Sequence, residues 1–455
     1  MIFDIKQKLK AVIYMSKFFV IYLYLLRLIY PYKPFLDDHI QFNVYSMHPN
    51  PIKDVFINSG TFATRPAANF LDIALYSYFG DVLYIPYIFY VLLYLGFVLL
   101  LRLVLLKIDI KTGQLFLTLA LLCPLNIEGT VWLSAATRIV PGLFLACASA
   151  LLLFGKKTIL KSILFWLTNL LSYLFYEQSA VFSVALIFLI SYREKRIMPA
   201  LVSFVNGAAV VAFYYAFKDY GVFCYRMSSL SFPDAIYFFS RLWECLHSCF
   251  FTFVQEGVLF VLPVTVAFGI YAARSTYSLK KDTFKLIFGI SVTLLSFVPI
   301  MLTGEYNIPF RCLAVPLIGI ALVIDCIRNE RAAKLVTICL VSVFVASSFV
   351  EFNRLDISLQ IDEKLISQIK EVVSENEGKS ISIHKAKSYY HESPSNHAEH
   401  IAAITSSDWA ITGALRAATK NPYLPLLKMD IPSDVNIYLT SDGKQINYVE
   451  YRKNR

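Results

Sequence analysis

Residues 82–106 read VLYIPYIFYVLLYLGFVLLLRLVLL, a run of apolar side chains with a single charge, Arg102. Crossing the hydrocarbon core of a bilayer takes about 20 such residues in a helix. A helix apolar on every side has to be buried, in lipid or in a large core. Such runs recur along the chain, at about 11–31, 82–106, 114–126, 131–154, 159–175, 179–192, 198–217, 257–273, 286–302, 307–327 and 335–350. They predict an all-α polytopic membrane protein with about eleven transmembrane helices, several of them short. Composition agrees, with 57% hydrophobic and only 16% charged residues and a mean hydropathy of +0.58, far from the usage of soluble domains.

The distribution of charge sets an orientation. The formal charge is +10, but it is not the footprint of a nucleic-acid-binding protein. The tail from Glu351 is nearly neutral, with 13 Lys and Arg against 14 Asp and Glu. In the rest, basic residues gather in alternate loops. Lys107 and Lys111, then Lys156, Lys157 and Lys161, then Arg193, Lys195 and Arg196 fall on one side. Arg274, Lys280, Lys281 and Lys285, then Arg328, Arg331 and Lys334 continue the series. The intervening loops, NIEGT at 126–130, YEQ at 176–178 and TGEYN at 303–307, hold no basic residue. By the positive-inside rule the basic side, with Lys6, Lys8 and Lys10, is cytoplasmic, and the tail lies outside. The first apolar run continues to about Tyr30 without a small-residue cleavage site, so it reads as an uncleaved span.

Two outer loops are long, at 32–81 and 218–256. In the first, PIKDVFINSG and RPAANFLDIALYSYFG read as short helices; in the second, SFPDAIYFFSRLWECLHSCFFTFV reads as a helix lying on the membrane surface. The expected organisation is a transmembrane domain over 1–350 and a small α/β domain over 351–455. In the latter, IDEKLISQIKEVVSEN and HIAAITSSDWAITGALRAATK read as helices, and ISIH, NIYLT and INYVEY as strands. The eight cysteines form no CxxC; Cys224, Cys245 and Cys249 share one loop, where a disulfide would fit. The HAEH stretch at 397–400 has the spacing of a metal pair but sits in a polar loop sequence, and no metal site is expected.

Polar residues that are costly near a bilayer cluster by side. Asp37, Asp38, His39, Arg65, Asp72, Glu128, Arg138, Glu177, Gln178, Glu305 and Arg311 all fall on or near the outer side. Ionisable groups in such places usually line a functional cavity, so a single outward-facing site is expected. A carboxylate there can take the proton of an attacking hydroxyl. Arginines can hold a phosphate leaving group by two-pronged hydrogen bonds. Each residue also has a simpler reading: a solvated loop acid or helix cap for Asp37 and Asp38, a turn residue for Glu177, an internal partnership between Arg138 and Glu128, and an interfacial anchor for Arg311.

Several short motifs carry a resemblance. A first span followed by FLDDH at 35–39, then ATRPAANF, FYEQS at 175–179 and IPFR at 308–311, together with the multi-span layout and outer tail, resembles the polytopic glycosyltransferases of the GT-C class. Within it, the chain most resembles the glucosyltransferases that modify O-antigen in Gram-negative bacteria. It departs from them at Thr64-Arg65-Pro66, where the family often has glycine, arginine and an aromatic residue. The resemblance implies an inner-membrane enzyme that inverts the sugar. The donor is a sugar, glucose first, on undecaprenyl phosphate, and the acceptor is a periplasmic O-antigen or related polysaccharide. It implies Asp38 or Asp37 as the catalytic base, and substrate binding by Arg65, Glu128, Arg138, Glu177, Gln178 and Arg311. No cofactor is expected. The chain has no P-loop or GxGxxG, as suits a donor that is already lipid-activated. Two other classes compete. An O-antigen polymerase would rest on outer-loop arginines and leaves the early DD pair unexplained; a lipid-linked sugar flippase would place charges along a path through both sides.

Overall fold

The computed structural model describes residues 18–39, 44–80, 82–217, 220, 237–245, 247, 279–303, 308–326, 330–376, 378–385, 403–421, 423–425, 427–431, 433–441 and 447–453. The chain divides into two compact units. The first comprises Met1–Pro31, Thr61–Asn69 and Tyr87–Val350, and the second Tyr32–Gly60, Phe70–Pro86 and Glu351–Arg455. The second unit thus contains the tail and also most of the long loop that follows the first apolar run.

The protein is mostly helical. Among the described residues five helices are long and apolar enough to cross a membrane: Tyr84–Lys107, Leu133–Leu152, Ile197–Ala216, Thr283–Met301 and Ala333–Glu375. Phe18–Ile29, Ile159–Tyr173 and Phe310–Ile324 are shorter apolar helices. The expected span at 257–273 and the HAEH stretch lie outside the described residues, as do Cys224 and Cys249; Cys245 is a free thiol. Of the expected surface helix in the second long loop, 237–245 is helical. The segment expected to span at 114–126 is a helix only over Gln114–Leu122, because Cys123 precedes Pro124 and is driven to an extended ψ of 122°.

Two helices of the first unit expose apolar side chains and bury polar ones. On Ile197–Ala216, Ile197, Phe204 and Val211 are exposed while Ser203 and Asn206 are buried. On Ile159–Tyr173, Ile159, Leu160 and Leu167 are exposed while Asn169 and Ser172 are buried. Those buried groups bond to one another. Asn206 donates to Asn169 Oδ1 at 2.8 Å, Asn169 to Ser183 Oγ at 3.0 Å, and the Tyr173 hydroxyl lies 2.5 Å from Ser203 Oγ. In water the pattern would be inverted; in lipid, interhelical hydrogen bonds and close contact between small residues are what join helices. The same logic places Gly289 against Gly319, where a Cβ on Gly289 would meet the Gly319 carbonyl at 2.7 Å.

At the basic end of this unit, Lys285 and Asp325 form a buried ion pair at 3.1 Å. Lys285 also donates to the carbonyls of Asp325 and Lys111. Asp325 accepts from the backbone N–H of Gly113 at 2.7 Å and of Phe116 at 3.1 Å, the open N–H groups that begin helix Gln114–Leu122. Counting Lys285 among the loop cations therefore misreads it: it is a core residue that ties three helices together.

In the second unit a four-stranded sheet runs in the order β2-β1-β3-β4, with β1 at Ile381–Lys385, β2 at Lys428–Met429, β3 at Val435–Ser441 and β4 at Asn447–Lys453. β1 is parallel to β2 and β3, and β4 is antiparallel to β3. Alternation decides its faces. Ile381, Ile383, Val435, Ile437 and Leu439 join Leu365 and Ile369 of the long helix, and Ile411 and Leu415 of helix Asp408–Thr419, in one apolar core. The other face carries Ser382, His384 and Asn436, with His384 Nε2 2.9 Å from Asn436 Oδ1. The helix expected at the start of the tail is present, but it continues without a break from the last apolar run as one helix, Glu330–Glu375.

Candidate functional site

The residues expected to form one site fall in both units: Asp37, Asp38, His39 and Asp72 in the second, and Arg65, Glu128, Arg138, Glu177, Gln178 and Arg311 in the first; Glu305 lies outside the described residues. Each group has its own geometry.

In the second unit the adjacent acids differ. Asp38 is fully buried, whereas Asp37 is half-buried. Asp38 Oδ2 accepts from the Tyr32 hydroxyl at 2.5 Å and from the Phe35 backbone N–H at 3.3 Å, and Oδ1 accepts from the Tyr76 hydroxyl at 2.8 Å. Tyr76 comes from helix Pro66–Phe79, one turn after the buried Asp72. Loss of solvent disfavours the charged form of Asp38 and outweighs the three donors, pushing its carboxyl up to about 7; the neighbouring Asp37 adds to this. His39 is also buried, which pushes its imidazole down to about 4 against a hydrogen bond with the Pro34 carbonyl. Half-buried acid, buried acid and buried imidazole thus follow one another in three residues.

In the first unit Arg65 and Glu177 form a two-pronged pair. Arg65 Nε donates to Oε1 at 2.9 Å and a terminal nitrogen to Oε2 at 2.9 Å. The guanidinium also lies 4.6 Å above the Tyr176 ring. Burial works against the charge of Arg65, but the Glu177 carboxylate more than offsets it and holds the guanidinium firmly protonated. The pair keeps some exposure, 19% for Arg65 and 33% for Glu177. Local sequence explains the positions. Arg65 immediately precedes Pro66, which starts a helix, and Glu177 is the first residue of helix Glu177–Arg193, where a carboxylate suits the positive end of the helix dipole. The backbone N–H of Ala67 reaches the Leu174 carbonyl at 3.2 Å and brings the two helix starts together.

Beside them, the short helix Ile127–Thr130 meets the turn Phe310–Leu313. The buried Glu128 accepts from the Arg311 backbone N–H at 3.1 Å, and Arg311 places its guanidinium 5.6 Å from the Trp132 ring. Gly129 is needed there, since a Cβ would meet the Ala314 Cβ at 2.7 Å. Charges of Arg65, Glu177 and Arg311 all reach the Tyr176 hydroxyl, so the structure does bring these three together. Gln178 is buried and donates to the carbonyls of Ser296 and Cys312, at 3.0 and 2.9 Å, so it joins helices. Arg138 is half-buried on helix Leu133–Leu152. No group of three or more metal-ligating side chains occurs among the described residues.

Sequence reasoning missed Tyr32 and Tyr76 on Asp38, Tyr176 under Arg65, and Arg27 in the first apolar helix. Tyrosine is so frequent here that none stood out; a lone arginine late in an apolar run was a usable signal. No protein-family model, curated protein or solved structure matches the chain.

Proposed function

We propose that this chain is an inner-membrane glycosyltransferase of the GT-C type, with about eleven spans, a cytoplasmic N-terminus and a periplasmic 351–455 domain. It moves a sugar, glucose first, from undecaprenyl phosphate to an O-antigen or related polysaccharide. The observation that carries this reading is the contrast between Asp37 and Asp38. When two neighbouring acids differ in their surroundings, their roles divide. Asp38, buried and held by two tyrosines, is the positioning residue. Asp37, the half-buried member, is the base that takes the acceptor hydroxyl's proton as that oxygen attacks the anomeric carbon. The carbon–oxygen bond to the donor phosphate breaks, and the lipid phosphate leaves. Arg65 and Arg311 are the candidates for phosphate contact, and the Arg65–Glu177 pair is exposed enough to exchange partners. Gln178 and Glu128, committed to backbone groups, support helix geometry.

The test is sugar addition to surface polysaccharide, read by mass in a Gram-negative host that supplies lipid-phosphate glucose. Asp37→Asn keeps shape and removes the proton acceptor, so transfer falls by about 10²–10⁴-fold at unchanged protein level. Full transfer by Asp37→Asn, Asp38→Asn and the double variant overturns the mechanism.

A further inference from the structure

Arg27 lies in the 3-10 turn Leu26–Ile29 that ends the first apolar helix. It is 6% exposed, and both terminal nitrogens of its guanidinium are buried without a hydrogen-bond partner. Arg65 has a carboxylate; among the described residues Arg27 has the Tyr24 side chain, whose ring lies 5.0 Å from the guanidinium carbon and whose hydroxyl is hydrogen-bonded to it. Its charge reaches Tyr94 and Cys123. The hydroxyls nearby are already committed. Tyr24 donates to the Val91 carbonyl at 2.9 Å, and Tyr94 donates to the Ala120 carbonyl at 2.9 Å while accepting from Asn126 Nδ2 at 2.5 Å. Asn126 is fully buried, and its Oδ1 has no partner either. Around Tyr94, then, among the described residues, the two terminal nitrogens of one cation lack acceptors and one side-chain carbonyl lacks a donor.

A buried cation left like this is costly, since an aromatic ring and a neutral hydroxyl return only part of the desolvation that an anion would return. Packing does not explain it: a methionine would fill similar space without that cost. The missing complement is an anion with oxygens for two parallel N–H groups and one hydroxyl to donate. A carboxylate meets the first need only. A phosphate monoester carrying one proton meets both, and paired N–H donors are the form in which arginine recognises phosphate. We propose that Arg27 and Asn126 bind a phosphate monoester. The group arrives by opening of the terminal 3-10 turn, since helix ends open at the least cost. This site is distinct from the Arg65–Glu177 pair and does not depend on the chain transferring a sugar. The same chemistry is offered by a lipid headgroup and by free phosphate.

The test uses the full chain purified in neutral detergent, with thermal unfolding followed by tryptophan fluorescence. Inorganic phosphate is titrated in one arm, and phosphatidic acid in mixed micelles, against phosphatidylcholine, in the other. Wild type is expected to gain several degrees with at least one source, and the arm that responds identifies it. Arg27→Met is expected to melt higher than wild type without phosphate, because the uncompensated charge is gone, and to bind the responding source at least tenfold more weakly. Asn126→Asp, which sets a second negative charge against the phosphate, should also weaken binding. If Arg27→Met does not accumulate, Arg27→Lys, which keeps charge but loses the two-pronged edge, should weaken binding several-fold. Three results overturn the proposal: no response of wild type to either source, an equal response in wild type and the Arg27 variant, or a lower melting temperature for Arg27→Met without phosphate, which would make Arg27 a structural partner of Tyr24.

Discussion

Lys285–Asp325 in the first unit and Lys33–Glu363 in the second are both lysine–carboxylate pairs of good length, 3.1 and 2.7 Å. The shorter is the weaker. Lys33 and Glu363 are 43% and 54% exposed, so water competes for both charges. Lys285 and Asp325 are 5% and 3% exposed, and every remaining donor and acceptor found there closes on backbone. Arg65–Glu177 stands between them. Surroundings, rather than distance, decide whether a pair holds the fold, exchanges partners or does little. The two extremes are staples and decoration; the intermediate pair is the one suited to meeting a substrate.

The comparison breaks most sharply at Lys285. Lys285→Met leaves Asp325 buried without its cation and should destabilise the first unit by about 3–5 kcal/mol, read by thermal unfolding in detergent. Adding Asp325→Leu should recover part of that. The rest stays lost, about 1–3 kcal/mol, because the N–H groups of Gly113 and Phe116 lose their acceptor. A near-neutral Lys285→Met would erase the distinction between the pairs.

Next in size is Asp38, a buried acid held by hydrogen bonds from Tyr32, Tyr76 and the Phe35 backbone. Its folded carboxyl sits at about 7, above the ordinary carboxylate value. Between those values the folded state holds the proton and the unfolded state does not. Stability is therefore greatest on the acid side and declines as pH rises through 7, by an amount of order 2–4 kcal/mol. Asp38→Asn should flatten that decline. Unfolding midpoints measured from pH 4 to 8 check it, and a wild-type stability that rises over the range would contradict the burial of Asp38.

Glu177→Gln should cost about 1 kcal/mol of stability, since the Arg65 pair is part-exposed and the Tyr176 contact remains. Its effect on transfer should be larger than its effect on folding. A loss of several kcal/mol would place the pair with the staples. Smallest of all, Glu363→Gln should shift stability by less than about 1 kcal/mol, and the shift should vanish at high salt. Chemical denaturation at two salt concentrations measures it.

How far the sequence is informative depends on the range of the interaction involved. The helices Tyr84–Lys107 and Leu133–Leu152 were legible because a run of apolar side chains constrains its own segment. The strands Ile381–Lys385, Val435–Ser441 and Asn447–Lys453 were legible from alternation and turn residues. β2, with only Lys428 and Met429, was not; a strand that short exists because β1 offers it an edge. Gln114–Leu122 was read too long, because Pro124 was counted as part of an apolar run when its effect on Cys123 ends the helix.

By itself the sequence determined that the chain is mostly helical with membrane-like segments, and that its tail from Glu351 is of another composition. These follow from side-chain chemistry summed along the chain. Only the tertiary structure decided what each charge is for. Arg27 and Arg311 lie at the ends of apolar stretches and Arg65 lies in the long loop at 32–81, and nothing local names the partner of any of them. One faces tyrosine, one holds Glu177, and one lies against Trp132. Asp37 and Asp38 are neighbours with the same side chain, and Tyr76, well along the chain, makes one of them different. The free energy of a charge depends on the solvent and partners around it, and those are set by residues far away in sequence.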